Sequence, residues 1–392
     1  MLGYFALCLG INLLKMIDRR ILSELKAIHN QKDSLIIKAP GRINIIGEHT
    51  DYNNGFCLPA AIDLAVFMGV SPNDSIRIHS MDRNDEWDGT NAIRPDWAVY
   101  FSGALRFARE NNFSIKPFRL DFGASLPSGA GLSSSSAITC GFLFALNQMN
   151  AWNIPIEKLT RIAVKAERES GLEGGMMDQI SIFNGAKDHA LLIDCQSWSF
   201  EKIPMLIPNY QWTIVDTKVK HKLVDSEYND RSRMCNQIAK KCATYFGIEE
   251  NLRIVYDQYS NHLFDFLDPL ERVLVRYIFE ENDRVRDMKS AIINQDTTSI
   301  GKLLYDGHEG LKSKYKVTCE ELDFLVQFSQ NSYASIGARM MGGGFGGSTL
   351  HLVKEENFDA FSFGISAAYK QKFGFDPDVF KAQISNGIEI VV

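Results

Sequence analysis

Arg42, Glu48, His49 and Asp51 fall within one short stretch, APGRINIIGEHTDYNNGFCLP at residues 39–59. Glu48, His49 and Asp51 supply hydrogen-bond acceptors and donors at close spacing, as recognition of a polyhydroxylated ligand requires. Arg42 supplies a fixed fork of donors suited to phosphate or carboxylate. Gly47 and Gly55 are placed to let the backbone turn around the cluster. Each of these residues alone would read as part of a polar surface loop. Apolar positions enclose the charges on both sides, and that argues for a built site.

A second stretch, LPSGAGLSSSSA at residues 126–137, has the pattern of strand, glycine bend and apolar helix. Amide groups at a helix N-terminus, with the helix dipole behind them, form a phosphate site, and glycines let the backbone come close to it. The serines can cap the helix, hold phosphate oxygens or ligate Mg²⁺. No Gly-Lys-Ser/Thr follows, so this is not a Walker A loop. Four consecutive serines are more than capping needs. A third stretch, GARMMGGGFGGSTLHLV at 337–353, contains G-x-G-x-x-G but leads into a strand, against the order of a dinucleotide fold. It reads as a glycine-rich wall against a nucleotide or against the serine loop. In EGGMMDQIS, residues 173–181, Asp178 sits among apolar neighbours and reads either as a base or anchor or as a helix cap.

With 392 residues the chain has room for two domains and a large core. Hydrophobic content of 45% and charged content of 23% are those of a globular protein. A net charge of −6 without a basic run argues against nucleic acid as a partner. The seven cysteines are scattered with no Cys-x-x-Cys pair, which suggests free thiols in a reducing cytoplasm. The eight histidines show no metal-ligand spacing. Residues 1–15, MLGYFALCLGINLLK, are apolar but too short to span a bilayer and lack signal-peptide flanks, so they read as a loose extension or a mis-assigned start.

Positioning these groups requires alternating strands and helices. Strands are predicted at 34–46 (broken at Pro40–Gly41), 64–70, 75–79, 118–122, 189–195, 211–216 and, as the closing strand, 348–353. Helices are predicted at 97–111, 133–149, 156–170 and in the stretches 225–245, 269–294, 296–313 and 318–331. The pattern restarts near residue 205, which divides the chain into 16–205 and 206–392.

Taken together, the motifs resemble the galactokinase family of the GHMP small-molecule kinases from about residue 35 onward, with VDSEYNDRSRMC at 224–235 as a further matching segment. The first stretch looks like the family signature, while the second and third match the superfamily at large. The resemblance implies a mixed α/β (α+β) fold of two domains with the active site in the cleft between them. It implies phosphoryl transfer from ATP to the C1 hydroxyl of galactose, in a cytoplasmic monomer with no membrane or nucleic-acid partner. Glu48, His49, Asp51, Gly175 and Tyr228 would hold the sugar. Asp178 would sit at the C1 hydroxyl as the catalytic carboxylate, with Arg42 between it and the γ-phosphate. Gly129, Ala130, Gly131, Leu132, Ser133, Ser134 and Ser135 would wrap the ATP phosphates, with Trp97 by the adenine. Ser135 and Glu167 would ligate Mg²⁺. Asn54 stands where the family usually has glycine, Ser348 where it often has cysteine, and the stretch from Glu167 to Asp178 is one residue short. The shortening leaves Glu169 and Glu173 as alternative ligands. Kinases for N-acetylgalactosamine or arabinose, and a non-catalytic galactose sensor, are the alternative functions.

Overall fold

The computed structural model describes residues 16–90, 94–169, 171, 174–220, 224–262 and 266–391. The N-terminal half is built on a six-stranded sheet. Its strands are β1 (Leu35–Asn44), β3 (Pro59–Pro72), β4 (Arg77–Ser80), β5 (Asp85–Trp87), β6 (Phe118–Ala124) and β13 (Glu389–Ile390), in the order β13-β1-β3-β6-β4-β5. Among the described strands only β4 and β6 run parallel. Helix α1 (16–28) covers one face through Ile21 and Leu25 against Ile36, Ala65 and Phe67. Helix α3 (Ser134–Met149) packs on β1 and β3 from the other side, with α2 (Val99–Glu110) and α4 (Ile156–Arg168) beside it. With both faces covered, β3 reads as a nearly unbroken apolar run, PAAIDLAVFMGV, buried along most of its length.

A second, four-stranded sheet in the C-terminal half comprises β9 (Tyr210–Lys220), β10 (Ser335–Met341), β11 (Gly346–Lys354) and β12 (Asp378–Ala382). Its order is β10-β11-β9-β12. Helices α6 (Val224–Phe246), α7 (Leu252–Tyr259), α8 (Pro269–Ile293), α9 (Thr297–Gly310), α10 (Glu320–Gln330) and α11 (Phe358–Phe373) belong to this half. Asp268 caps α8 in a full capping box with Glu271, and Pro269 follows at the first helical position. A small sheet of β2 (Phe56–Cys57), β7 (His189–Asp194) and β8 (Ser199–Pro204) lies beside the first stretch.

One hydrophobic core runs through both halves, joining Ile43 and Leu146 to Val285, Leu350 and Phe380. The chain also returns to the first sheet after β12. Ser385 bonds to Ala61, Ile62 bridges Ile384, and β13 pairs Ile390 with Ile37 on the edge of β1.

The architecture is α+β, as expected, but 348–353 is not the closing strand. It lies within β11, the second arm of the hairpin β10–β11, and α11, β12 and β13 come after it. Phe, Ser and Gly give α11 little intrinsic helical signal, and it is held by burying Phe361, Ile365 and Tyr369.

Candidate active site

Residues 47–55 form a tight loop between β1 and β2, laced by its own hydrogen bonds. Gly47 (φ +99°) and His49 (φ +61°) are left-handed. Thr50 Oγ1 bridges to the Gly47 carbonyl (2.8 Å), and Asn53 donates to the His49 carbonyl (2.7 Å). Gly55 was expected to turn the chain, but Asn54 does that, at φ +57°. Asparagine tolerates this region, which accounts for its standing where glycine is usual. Gly55 is needed for space instead: a side chain there would lie 2.5 Å from Asn282 Oδ1. Helix α8 grips the loop from outside. Glu281 accepts the amides of Gly47 (2.8 Å) and Glu48 (3.3 Å), and Asn282 accepts that of Phe56 (2.7 Å).

The gripped loop faces a cavity of about 230 Å³ lined by Arg42, Glu48, His49, Asp51, Gly175, Asp178 and Tyr228. A bulge between Pro40 and Arg42 redirects β1 and aims Arg42 into it. Arg42 Nε lies 2.8 Å from Asp178 Oδ1, and the guanidinium is almost wholly buried. Asp178 is the second residue of α5 (Met177–Asn184), not its cap, which is Met176. Its other oxygen accepts from Ser133 Oγ at 2.6 Å. Gly175 is required by Asp51: an added Cβ would come within 2.2 Å of Asp51 Oδ2. Tyr228, on α6, stacks obliquely on His49 with ring centres 5.4 Å apart.

Gly129, Gly131, Leu132, Ser133, Ser134 and Ser135 line the same cavity at the N-terminus of α3. The N-cap residue, Ser133, makes no side-chain capping bond, and the positive end of the α3 dipole borders the cavity. Ser133 is left-handed and directed at Asp178, and Ser136, which sequence reasoning left out of the site, donates to both oxygens of Glu167 (2.8 and 2.7 Å). Ala130 is buried behind the loop, its carbonyl taken by Ser348 Oγ at 2.7 Å. The glycine hairpin therefore does pack against the serine loop, and Gly342 and Gly343 line the cavity with it. Glu167 reaches the cavity and touches Ser135, Ser136 and Gln179. Glu169 points away and pairs with Arg106. Glu173 lies outside the described residues. Trp97 is not in this cavity. It is buried with its indole nitrogen on Asp85 (2.8 Å) and lines a neighbouring cavity of about 310 Å³ that shares Ser134.

Burial sets the charge states. It holds His49 far below its ordinary range, at about 3, so the ring is neutral. Burial, then the charge of Asp178, pushes Asp51 up to about 6. Glu48 is raised by burial as well, although Arg339, Arg42, Asn44 and the Gly342 amide all oppose the shift. Both its oxygens are engaged: Oε2 by Asn44 (2.8 Å), Oε1 by the Gly342 amide (2.8 Å) and by the fully buried Arg339 (3.3 Å). Arg339, Glu281 and Asn282 have no local signature, because each acts on residues that are remote in sequence.

The raised Asp51 carries a testable pH dependence. A carboxyl whose pKa rises on folding favours the fold fully below its ordinary value of 3.8, and that contribution is lost as pH rises through about 6. At neutral pH the ionised Asp51 therefore strains the ligand-free fold. Asp51→Asn keeps an acceptor for the Tyr52 amide (2.9 Å). It should raise the melting temperature at neutral pH, with the gain vanishing below about pH 4. Melting curves of both proteins across that range test this, and a pH-independent difference would exclude it.

Among the described residues no helix is long and apolar enough to cross a membrane, and no group of three or more His, Cys, Asp or Glu could hold a metal ion. Comparison with known proteins agrees with the geometry. Residues 24–72 match the galactokinase galactose-binding signature, 99–186 the GHMP kinase N-terminal domain and 288–371 the GHMP kinase C-terminal domain. The chain is 35% identical to a galactokinase of Thermotoga petrophila over 90% of its own length and 99% of the relative's. It is 33% identical to that of Lactobacillus helveticus over 95% and 99%. The crystal structure of Lactococcus lactis galactokinase complexed with galactose superposes with a TM-score of 0.88 at 27% identity, covering 95% of this chain and 99% of that one. A mevalonate kinase of Methanococcus jannaschii shares the fold at a TM-score of 0.65 and 18% identity. With its signature loop, serine-rich loop and paired Arg42–Asp178 around one cavity, the chain belongs to the galactokinase family of the GHMP kinases.

Proposed function

We propose that this enzyme transfers the γ-phosphoryl group of ATP to the C1 hydroxyl of galactose. The observation that carries the reading is the placement of Asp178. It stands 2.8 Å from Arg42, between the His49–Asp51 loop and the N-terminus of α3. Phosphoryl transfer demands positioning and neutralisation of charge more than covalent chemistry. Asp51, His49, Gly175, Tyr228 and Glu48 orient the sugar. Asp178 orients its C1 hydroxyl and takes its proton, and Arg42 faces the charge that develops on the transferring group. The loop from Gly129 to Ser135 supports the phosphates, and Trp97 lies on the adenine side.

The donor set suits Mg²⁺: a buried carboxylate at Glu167 and the Ser135 hydroxyl are hard oxygens, and such a cation usually takes only one or two protein ligands beside substrate phosphates. When bound it would neutralise phosphate charge. Burial and the nearby Asp178 both disfavour an ionised Glu167, a strain that a cation would relieve. Glu167→Ala should raise the KM for Mg²⁺-ATP by about tenfold or more while sparing galactose affinity, because a hard ligand is lost. Glu169→Ala, on the Arg106 side, should leave both unchanged. The reverse ranking would move the ligand to Glu169.

We also propose a division into N- and C-terminal domains near residue 205, a monomer, and a cytoplasmic location. The six described cysteines, all free thiols, are in keeping with a reducing compartment. ATP-dependent phosphorylation of a monosaccharide panel tests the substrate. A site that hydrogen-bonds the axial C4 hydroxyl leaves polar groups unpaired when glucose enters, so galactose should be preferred by about 10²-fold or more in kcat/KM. Comparable values for the two sugars would sink the galactose assignment, and a preference for N-acetylgalactosamine or arabinose would redirect it.

A further inference from the structure

His49 is buried and left-handed, and its Nε2 makes no hydrogen bond of good geometry among the described residues, although the Gly343 backbone lies close enough to favour a proton on the ring. A buried imidazole nitrogen without a partner is costly unless a ligand supplies one. The ring's other nitrogen is held. Nδ1 lies 2.8 Å from the Tyr52 hydroxyl, which lies 2.8 Å from the Tyr315 hydroxyl, which lies 3.2 Å from Cys235 Sγ. Tyr315 and Cys235 are fully buried, and the ring of Tyr315 also lies against His49, with centres 4.9 Å apart. Three separate parts of the chain supply this series. Tyr52 comes from the short turn Asp51–Asn53, Cys235 from α6, and Tyr315 from a π-helical turn, Leu311–Tyr315, that ends α9. Wide turns of this kind frequently occur at functional sites.

The direction of the series follows from acid–base character. Either atom of the Tyr52–His49 contact could donate, but a phenol is the stronger donor and a neutral imidazole nitrogen the stronger acceptor, which favours Tyr52 O–H donating to Nδ1. Tyr315 then donates to Tyr52, and the weakly acidic Cys235 thiol lies at the outer end. With Nδ1 accepting, the ring proton must sit on Nε2. Burial keeps the imidazole neutral, so a single tautomer is selected rather than a doubly protonated ring.

We propose that Tyr52 and Tyr315 are positioning residues that fix His49 as the Nε2–H tautomer, so that it enters sugar binding as a hydrogen-bond donor to a hydroxyl oxygen. This deepens the galactokinase reading and rests on it for the identity of the sugar. The tautomer itself can be read without any substrate.

The test has two arms. In protein carrying isotope-labelled histidine, long-range proton–nitrogen correlations should show His49 neutral with its proton on Nε2, the signal being assigned by its loss in His49→Gln. Tyr52→Phe keeps the ring and removes the donor. It should shift His49 toward the Nδ1–H form and raise the KM for galactose by about tenfold, with kcat changed by less than about twofold, as expected for loss of ground-state binding. Tyr315→Phe, one step removed, should change KM in the same direction by less, and it serves if Tyr52→Phe does not fold. A wild-type Nδ1–H tautomer, or Tyr variants with unchanged tautomer and KM, would overturn the proposal. An Nε2–H tautomer in a protein that does not turn over galactose would overturn the sugar assignment and leave the positioning series standing.

Discussion

Asp178→Asn should fold normally and lose about 10²-fold or more in kcat, the scale expected when a positioned acid–base group is removed. The carboxylate holds Arg42 through one oxygen and Ser133 through the other. Asparagine retains one acceptor oxygen and a similar shape, so the local fold has little reason to change. What it loses is the negative charge that can take the proton of the sugar hydroxyl and balance Arg42. The loop residues that face the sugar keep their side chains and backbone contacts, so galactose affinity should fall far less than turnover. Single-turnover kinetics beside equilibrium sugar binding separate the two. A folded Asp178→Asn with near-wild-type turnover would place the proton acceptor elsewhere.

Glu281→Ala should cost about 3–5 kcal/mol of stability, the range for removing one partner of a buried ion pair. The Glu281 carboxylate is fully buried, accepts the amides of Gly47 and Glu48, and pairs with Arg284, whose side chain is 12% exposed. Alanine leaves two loop amides and one guanidinium without this partner. The loop that carries His49 and Asp51 should loosen with it, so sugar affinity should fall although Glu281 touches no ligand. Burial would raise the Glu281 pKa, but Arg284 and Arg339 outweigh it and hold it below 4.5. A depressed carboxyl stabilises the fold above its ordinary pKa and loses that contribution as pH falls through the folded value. The mutant should therefore differ most from wild type near neutral pH and converge with it in acid. Denaturant titrations at both ends of that range provide the check, and a constant difference would show that Glu281 acts by packing alone.

The chemistry was more legible in the sequence than the framework holding it. Glu48, His49, Asp51 and the serine loop announce themselves because several polar types crowd into apolar surroundings over a few residues. Asp178 was ambiguous between cap and base, and the ambiguity ended only when its distance to Arg42 was known. The bonds of the Ser133 and Ser136 hydroxyls to Asp178 and Glu167 join residues too far apart in the chain for a local pattern to show them. Strand β3 begins at Pro59, earlier than its predicted start at residue 64, because burial on both faces removes the alternation that marks a strand. Strand β10 was invisible for a related reason. Its Arg339 looks like a solvent-facing charge, yet it is fully buried and lies 3.3 Å from Glu48. Local pattern reports what a residue prefers on average, and these residues are held by partners that only the fold brings near.

The pairing of β13 with β1 has a consequence for the order in which the protein can be made. The six-stranded sheet carries the signature loop at one end of β1, and near the other end Ile37 and Lys38 find their edge partners only in residues 390 and 389. During synthesis the strands up to Ala124, with the serine loop and Asp178, leave the ribosome long before that closing segment exists. The nascent N-terminal half must therefore wait with an unpaired, apolar sheet edge, the kind of surface on which chains join wrongly. Chaperone demand should peak in the interval between emergence of β6 and emergence of residue 390.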